Sequence, residues 1–380
     1  QQDGLVRVRV NGVLNSTPFI DIRAQVNGTR DRGLLDIAVH PNFEANPYVY
    51  LLFTYDPPEV YQNASHPLAG PDRNGNRAAR LIRVTADVAT NYTTAVPGSE
   101  FILLGRNSTW QHFNAFVNST VDFNEPAGGY LPNGTPVRDF IATDSESHTI
   151  GSVEFAKDGS LFVSTGDGAS YNRVDPRAVR VQNIDDLAGK ILRIDPITGQ
   201  GLPDNPFFNG DPNANRSKVY QYGLRNPFRI TVDPSSGRLY VGDVGWTQWE
   251  EINAGAPGAN FGWPYFEGGS TTNVRTPLYQ DLAAAQAFYA SGQVATPPIL
   301  GLNHGATGIN AVIAGDFVPN AIYPEVFRNT LLFNDLGQGI VRAIRFNASG
   351  GVETVTEFQS GARVVVQIVT GPDGLLYFVD

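Results

Sequence analysis

Lys157-Asp158-Gly159-Ser160-Leu161-Phe162-Val163 is the stretch whose reading decides the fold. The unit returns as Ser235-Ser236-Gly237-Arg238-Leu239-Tyr240-Val241 and as Pro372-Asp373-Gly374-Leu375-Leu376-Tyr377-Phe378. A weaker copy is Glu44-Ala45-Asn46-Pro47-Tyr48-Val49-Tyr50. Asp-Gly or Ser-Gly supplies the positive φ of a tight turn, and the apolar strand that follows fills a core. One turn-and-strand unit repeated along a chain points to a propeller, whose radial blades leave few strand edges exposed. The copies are 78 residues apart (Gly159 to Gly237) and then 137 (Gly237 to Gly374), so large insertions separate them. On the repeats alone, a sandwich or a pair of β domains stays open.

Outward from these copies the pattern remains β-like. Gly4–Val10, Val49–Tyr55, Ser160–Ser164, Arg238–Val241 and Leu375–Val379 are rich in β-branched and aromatic residues, with turn residues at their ends. The one convincing helix is Asp281–Tyr289, about two turns long. Stretches near 56–80, 105–147 and 200–217 read as surface loops, rich in Asn, Gly, Pro and Ser. No low-complexity linker divides the 380 residues, so the expectation is one all-β domain over 1–380 with long loops.

Composition excludes several chemistries. With no cysteine, the chain has no disulfide, zinc-thiolate site, iron–sulfur cluster or cysteine nucleophile. Net charge is −10, and the 27 basic residues are scattered, which argues against nucleic-acid binding. No run of 18 apolar residues exists to span a membrane. The start, QQDGLVRVRV, has neither the basic nor the apolar part of a signal peptide, and there is no Met anywhere. The expectation is a processed or excerpted segment. Sequons at Asn15, Asn27, Asn63, Asn91, Asn107, Asn118, Asn133, Asn215 and Asn347 exceed what residue frequency predicts. They suggest a glycosylated, secreted surface, although an Asn/Ser/Thr-rich loop protein also makes such triplets by chance.

Among five histidines, His148 is the most suggestive. It follows Asp144-Ser145-Glu146-Ser147 and precedes a strand whose hairpin ends in Thr165-Gly166-Asp167-Gly168. An imidazole oriented by a carboxylate is the working form of a general base. His40 ends an apolar strand and reads as structural, His66 and His112 lack ligand-spaced partners, and His304 is open between the two readings. A second constellation runs through Arg225-Asn226-Pro227, Gly245-Trp246, Glu250-Glu251 and Asn260-Phe261-Gly262-Trp263-Pro264. The arginine fork suits a carboxylate ligand. The glutamates with nearby carbonyls offer the oxygen donors that calcium prefers, or they cap blades and pair with neighbours.

These segments resemble the soluble pyrroloquinoline quinone (PQQ)-dependent sugar dehydrogenases, the glucose/sorbosone dehydrogenase family of six-bladed β-propellers. The resemblance rests on Gly33-Leu34-Leu35-Asp36-Ile37-Ala38-Val39-His40-Pro41, the Ser147–Asp167 hairpin, Leu187-Ala188-Gly189-Lys190-Ile191-Leu192-Arg193, Gly223–Pro227, Glu250–Asn253 and Gly371–Gly374, in order along nearly the whole chain. It implies a six-bladed propeller with long inter-strand loops. It also implies His148 as the base that takes the proton of a sugar C1 hydroxyl while hydride passes to PQQ, with Asp167 orienting it. Arg225, Asn226 and Thr307 are implied as cofactor contacts, and Gly245, Trp246 and Glu251 as calcium ligands. The sequence departs from that pattern in four places. Phe228 replaces a glutamine, Asp31 another, Asn334–Gly339 holds no lysine, and Val364-Val365-Val366 with Arg363 replaces the late arginines.

The expected function is an extracellular or periplasmic PQQ- and calcium-dependent aldose dehydrogenase acting on a small sugar. The competing reading is a catalytically idle propeller that self-assembles within a secreted glycoprotein or binds carbohydrate. A calcium-dependent propeller hydrolase or lactonase is the third.

Overall fold

The turns expected at Gly159, Gly237 and Gly374 form, with φ of 84°, 76° and 77°, which only glycine adopts at little cost. Each feeds a strand: Leu161–Thr165, Leu239–Asp243 and Leu376–Val379. A computed structural model describes residues 1–112, 127–269, 272–320, 322–362 and 364–379 of the chain.

Four sheets are built of four strands in chain order. The first runs Leu34–Val39, Tyr48–Tyr55, Arg77–Thr85 and Phe101–Leu104, with Ile141–Thr143 added beside Arg77–Ala79. The second runs Ile150–Phe155, Leu161–Thr165, Lys190–Ile194 and Val219–Tyr222. Pro227–Val232, Leu239–Asp243, Trp249–Asn253 and Leu300–Asn303 make the third. Val312–Phe317, Leu331–Asp335, Ile340–Phe346 and Val352–Ser360 make the fourth. Gln367–Thr370 and Leu376–Val379 form a two-stranded pair. Such meanders are the blade unit of the all-β propeller class read from the sequence. The chain divides into two compact units, residues 1–220 and 221–380, where the sequence reading drew one domain.

Each unit has its own apolar core. In the first, alternate residues Val49, Leu51 and Phe53 meet Ile82, Val84, Ile22 and Val26. The period-2 geometry of the strands puts them on one face. In the second, Tyr240, Ile252, Val312, Leu331, Phe333 and Ile344 form the equivalent layer. The expected helix appears as a short 3-10 turn, Tyr279–Asp281, followed by Ala283–Ala290.

Three expectations need correction. Gly4–Val10 is two short strands, Leu5–Val6 and Arg9–Val10, because each pairs with a different partner. The stretch read as a loop over 56–80 ends in the strand Arg77–Thr85, and the loop read over 105–147 contains the strand Ile141–Thr143. The polar residues that made the first look solvated are inside. Arg77 is 0% exposed and pairs with Asp56 through its Nε. Its Nη2 donates to the Gly70 carbonyl at 2.7 Å, while Asp56 also accepts from Asn27 Nδ2 and the Asp72 N–H.

That network also changes the sequons. Asn27 is buried, with its Nδ2 donating to Asp56 and to the Arg73 carbonyl. Asn215 is buried likewise, donating to the Val137 and Asp185 carbonyls. In the folded chain neither amide faces a glycan. Asn91, Asn133 and Asn347 are exposed, Asn15, Asn63 and Asn107 are half-buried, and Asn118 lies outside the described residues.

Removing one partner of a buried ion pair leaves the other charged and desolvated, at a cost of about 3–5 kcal/mol. Asp56→Ala is therefore expected to lower the unfolding free energy by roughly that amount. Urea titration followed by circular dichroism measures it, and a loss under about 1 kcal/mol would contradict the assignment.

Candidate active site

In the first unit, the segment from Asp144 to His148 links the strands Ile141–Thr143 and Ile150–Phe155. Asp144 is buried, ion-paired with Arg180 at 2.6 Å, and accepts the Gly128 N–H at 3.2 Å. Burial pushes its carboxyl up and Arg180 pulls it back. His148 has φ of 53°, an uncommon conformation for a residue with a side chain. Its carbonyl accepts the Gly168 N–H at 2.9 Å. The opposing position must be glycine, because a Cβ on Gly166 would stand 2.2 Å from that carbonyl oxygen.

This backbone brings the two sequence-chosen residues together. His148 Nδ1 lies 3.1 Å from Asp167 Oδ1, with the side chains 4% and 1% exposed. The same carboxylate oxygen accepts the Ala169 N–H at 2.9 Å. A carboxylate only accepts, so the proton of the neutral imidazole is on Nδ1 and the lone pair on Nε2.

In the second unit, Asp243 fixes the backbone of Arg225 and Asn226, accepting their N–H groups at 3.0 and 2.6 Å. The buried Arg225 guanidinium lies 5.4 Å from the Trp263 ring centroid. Its Nη1 donates to the carbonyls of Val244 (3.0 Å) and Gly245 (2.5 Å). The turn beyond them wraps one oxygen of Glu267, which accepts the N–H groups of Trp246, Thr247, Gln248 and Trp249 at 2.6–3.3 Å. Glu250 takes the N–H groups of Gly245 and Val312 on one oxygen and meets His304 Nε2 at 2.9 Å with the other. That contact holds the His304 imidazole above its ordinary pKa. Thr307 stands on the same exposed helical turn as His304, its hydroxyl donating to the Asn303 carbonyl at 2.8 Å. Glu250–His304, Glu267 and Arg180 were not singled out as pairs, because their partners are remote in sequence.

Glu251 faces Asp243 directly across paired strands. Burial drives the Glu251 carboxyl up to about 7, and burial plus the nearby Glu251 charge raise Asp243 well above the ordinary range. Two such carboxyls do not both ionise cheaply.

The calcium expectation fits this arrangement poorly. The Gly245 carbonyl accepts from Arg225, and Glu251 accepts from Asn253 Nδ2 (2.8 Å) and the Gly268 N–H (2.5 Å). Among the described residues, no group of three or more Asp, Glu or His is placed to hold a metal ion. Arg225 and Asn226, expected to meet a quinone carboxylate, present a buried guanidinium whose Nη1 donates to the Val244 and Gly245 carbonyls and a half-buried amide, on a backbone fixed by Asp243. Arg363 lies outside the described residues.

Comparison with known proteins agrees with the fold. A family model described as Glucose / Sorbosone dehydrogenase matches residues 137–380, more than half of the chain. HIPL2 protein of Arabidopsis thaliana is 28% identical over 343 residues, covering 84% of this chain and 45% of its own length. The chain thus spans about half the length of this relative. Aldose sugar dehydrogenase YliI of Escherichia coli is 33% identical over 132 residues, covering 34% of this chain and 32% of its own. The PQQ-bound aldose sugar dehydrogenase of Streptomyces coelicolor shares the fold at a TM-score of 0.57 and 18% identity, over 97% of this chain and 79% of that one. Among the described residues no helix is long and apolar enough to cross a membrane.

The raised Glu251 carboxyl has a pH signature. Between about pH 4.5 and 7 the native state keeps a proton that the unfolded chain releases. Stability therefore falls as pH rises through that window. Glu251→Gln is expected to flatten this fall, read from denaturation midpoints at pH 5 and pH 7; an unchanged slope would place the carboxyl in its ordinary range. Separately, Gly166→Ala is expected to cost about 2 kcal/mol or more, because a methyl and a backbone oxygen cannot share that space. Thermal unfolding measures it.

Proposed function

We propose that this chain, which belongs to the glucose/sorbosone dehydrogenase family, is a PQQ-dependent dehydrogenase that oxidises the C1 hydroxyl of an aldose. The observation that carries the reading is the buried His148–Asp167 pair, with Nδ1 committed to the carboxylate at 3.1 Å. His148 Nε2 takes the hydroxyl proton. Asp167 holds the tautomer and stabilises the imidazolium that results. The C–H bond breaks as a hydride, leaving a C1 carbonyl, so one sugar gives one lactone, one proton and one hydride, which carries the two electrons. PQQ, when bound, supplies the two-electron acceptor. Arg225 and Asn226 are the residues assigned to hold it. No step is assigned to calcium, because the Gly245 carbonyl and the Glu251 carboxyl already accept hydrogen bonds from Arg225, Asn253 and Gly268.

The exposed sequons Asn91, Asn133 and Asn347 support a secreted, glycosylated form of this enzyme. A mass shift on enzymatic deglycosylation of protein from its native source tests that part. The second reading, an idle self-assembling or carbohydrate-binding module, is favoured by one feature: Asn334–Gly339 offers no lysine to a cofactor carboxylate.

The test is titration with PQQ, with and without calcium, followed by dye reduction over a panel of aldoses. Micromolar PQQ binding and sugar-dependent reduction are expected. His148→Ala is expected to cut kcat by about 10²–10⁴ while PQQ still binds. No PQQ binding at micromolar concentration would end the enzymatic reading in favour of the idle module.

A further inference from the structure

We propose that Asp31 and Arg32 form a splint that positions the base, gripping the five residues before His148 and so holding its imidazole on Asp167. The inference rests on the assignment of His148 as the base and adds two residues to that site.

Arg32 is wholly buried, and its guanidinium donates to backbone carbonyls. Its Nη2 donates to three successive carbonyls, Thr143 (2.9 Å), Asp144 (3.2 Å) and Ser145 (2.9 Å). Its Nη1 reaches the Arg73 carbonyl at 3.0 Å. Asp31 continues the grip. Its N–H donates to the Glu146 carbonyl at 3.3 Å, and its Oδ2 accepts the Ser147 hydroxyl at 2.5 Å. Two adjacent residues therefore bind every position from 143 to 147, more than 110 residues away in sequence.

A guanidinium buried among carbonyl oxygens is a costly arrangement, and burial lowers its pKa to about 9. At neutral pH it is still the charged form. What the arrangement secures is a backbone that must enter His148 in the left-handed region. A residue held there persists only where its surroundings over-determine it. Gly166 and Gly168 constrain the far side of His148, through the close approach and the N–H bond to its carbonyl. The near side is held by the splint. Slack there rotates the imidazole off Asp167, and a base misplaced by about 1 Å loses roughly a hundredfold in rate.

The test combines kinetics with histidine NMR on the full chain. Arg32→Lys keeps the charge but reaches one carbonyl rather than three; Arg32→Gln removes the charge. The double variant D31N/S147A removes the Asp31–Ser147 hydrogen bond and leaves the Arg32 bonds in place, so it stays folded if the Arg32 variants do not. In the wild type, the His148 Nδ1–H is expected as a slowly exchanging signal, absent in Asp167→Asn. In Arg32→Lys and D31N/S147A that signal should exchange at least tenfold faster. Kcat should fall about tenfold or more, with KM and the Kd for PQQ within twofold. A merely structural role would lower the melting temperature without moving the His148 signal, and that outcome overturns the splint. If the wild type oxidises no sugar, the dehydrogenase reading fails, while the exchange rates still decide whether Asp31 and Arg32 hold His148.

Discussion

The close approach of the His148 carbonyl to Gly166 is the constraint around which the first unit's site is arranged. With no room for a Cβ, two backbones meet where side chains ordinarily keep them apart. That contact turns His148 into the left-handed region and brings Nδ1 to Asp167. Once the imidazole is committed there, its chemistry follows from the inability of a carboxylate to donate. The rest of the loop serves to make an unfavourable conformation the only one available.

Buried polar groups do that work throughout the chain, which has a charged fraction of only 17%. Several of its charges are inside the blades. Arg77 with Asp56 organises the start of one strand. Lys218 with Asp139 and Arg180 with Asp144 tie short helical turns to loops. Lys190 is fully buried with its amine on the Val181 and Ala188 carbonyls, and burial lowers its pKa to about 7. Such groups add little net stability compared with apolar replacements, but a misfolded arrangement would leave them unpaired. They specify which loop conformation forms.

The second unit uses carboxylates differently. Asp243 and Glu267 receive backbone N–H groups and so shape the Arg225 strand end and the turn after Val244. Glu251 sits opposite Asp243, and both carboxyls are pushed up, chiefly by burial. The nearby Arg225 guanidinium donates to backbone carbonyls. Acidic residues here hold a turn together, and among the described residues no three of them converge as metal ligands would.

Local chemistry made much of this legible in advance. Gly159, Gly237 and Gly374 announce turns because only glycine takes their φ cheaply, and the aromatic and aliphatic run within Tyr48–Tyr55 announces a strand. His148 and Asp167 could be chosen as a pair because one hairpin joins them. Sequence order could not show that Arg32 reaches Thr143, that Arg77 is inside, or that Asn27 and Asn215 are structural rather than glycan-facing. In each case the deciding partner lies tens of residues away, and burial, not residue type, sets the role. Residue identity therefore determined the blades and paired His148 with Asp167. Only tertiary structure decided which polar side chains leave water, because that depends on hydrogen-bond partners that the fold alone brings within reach.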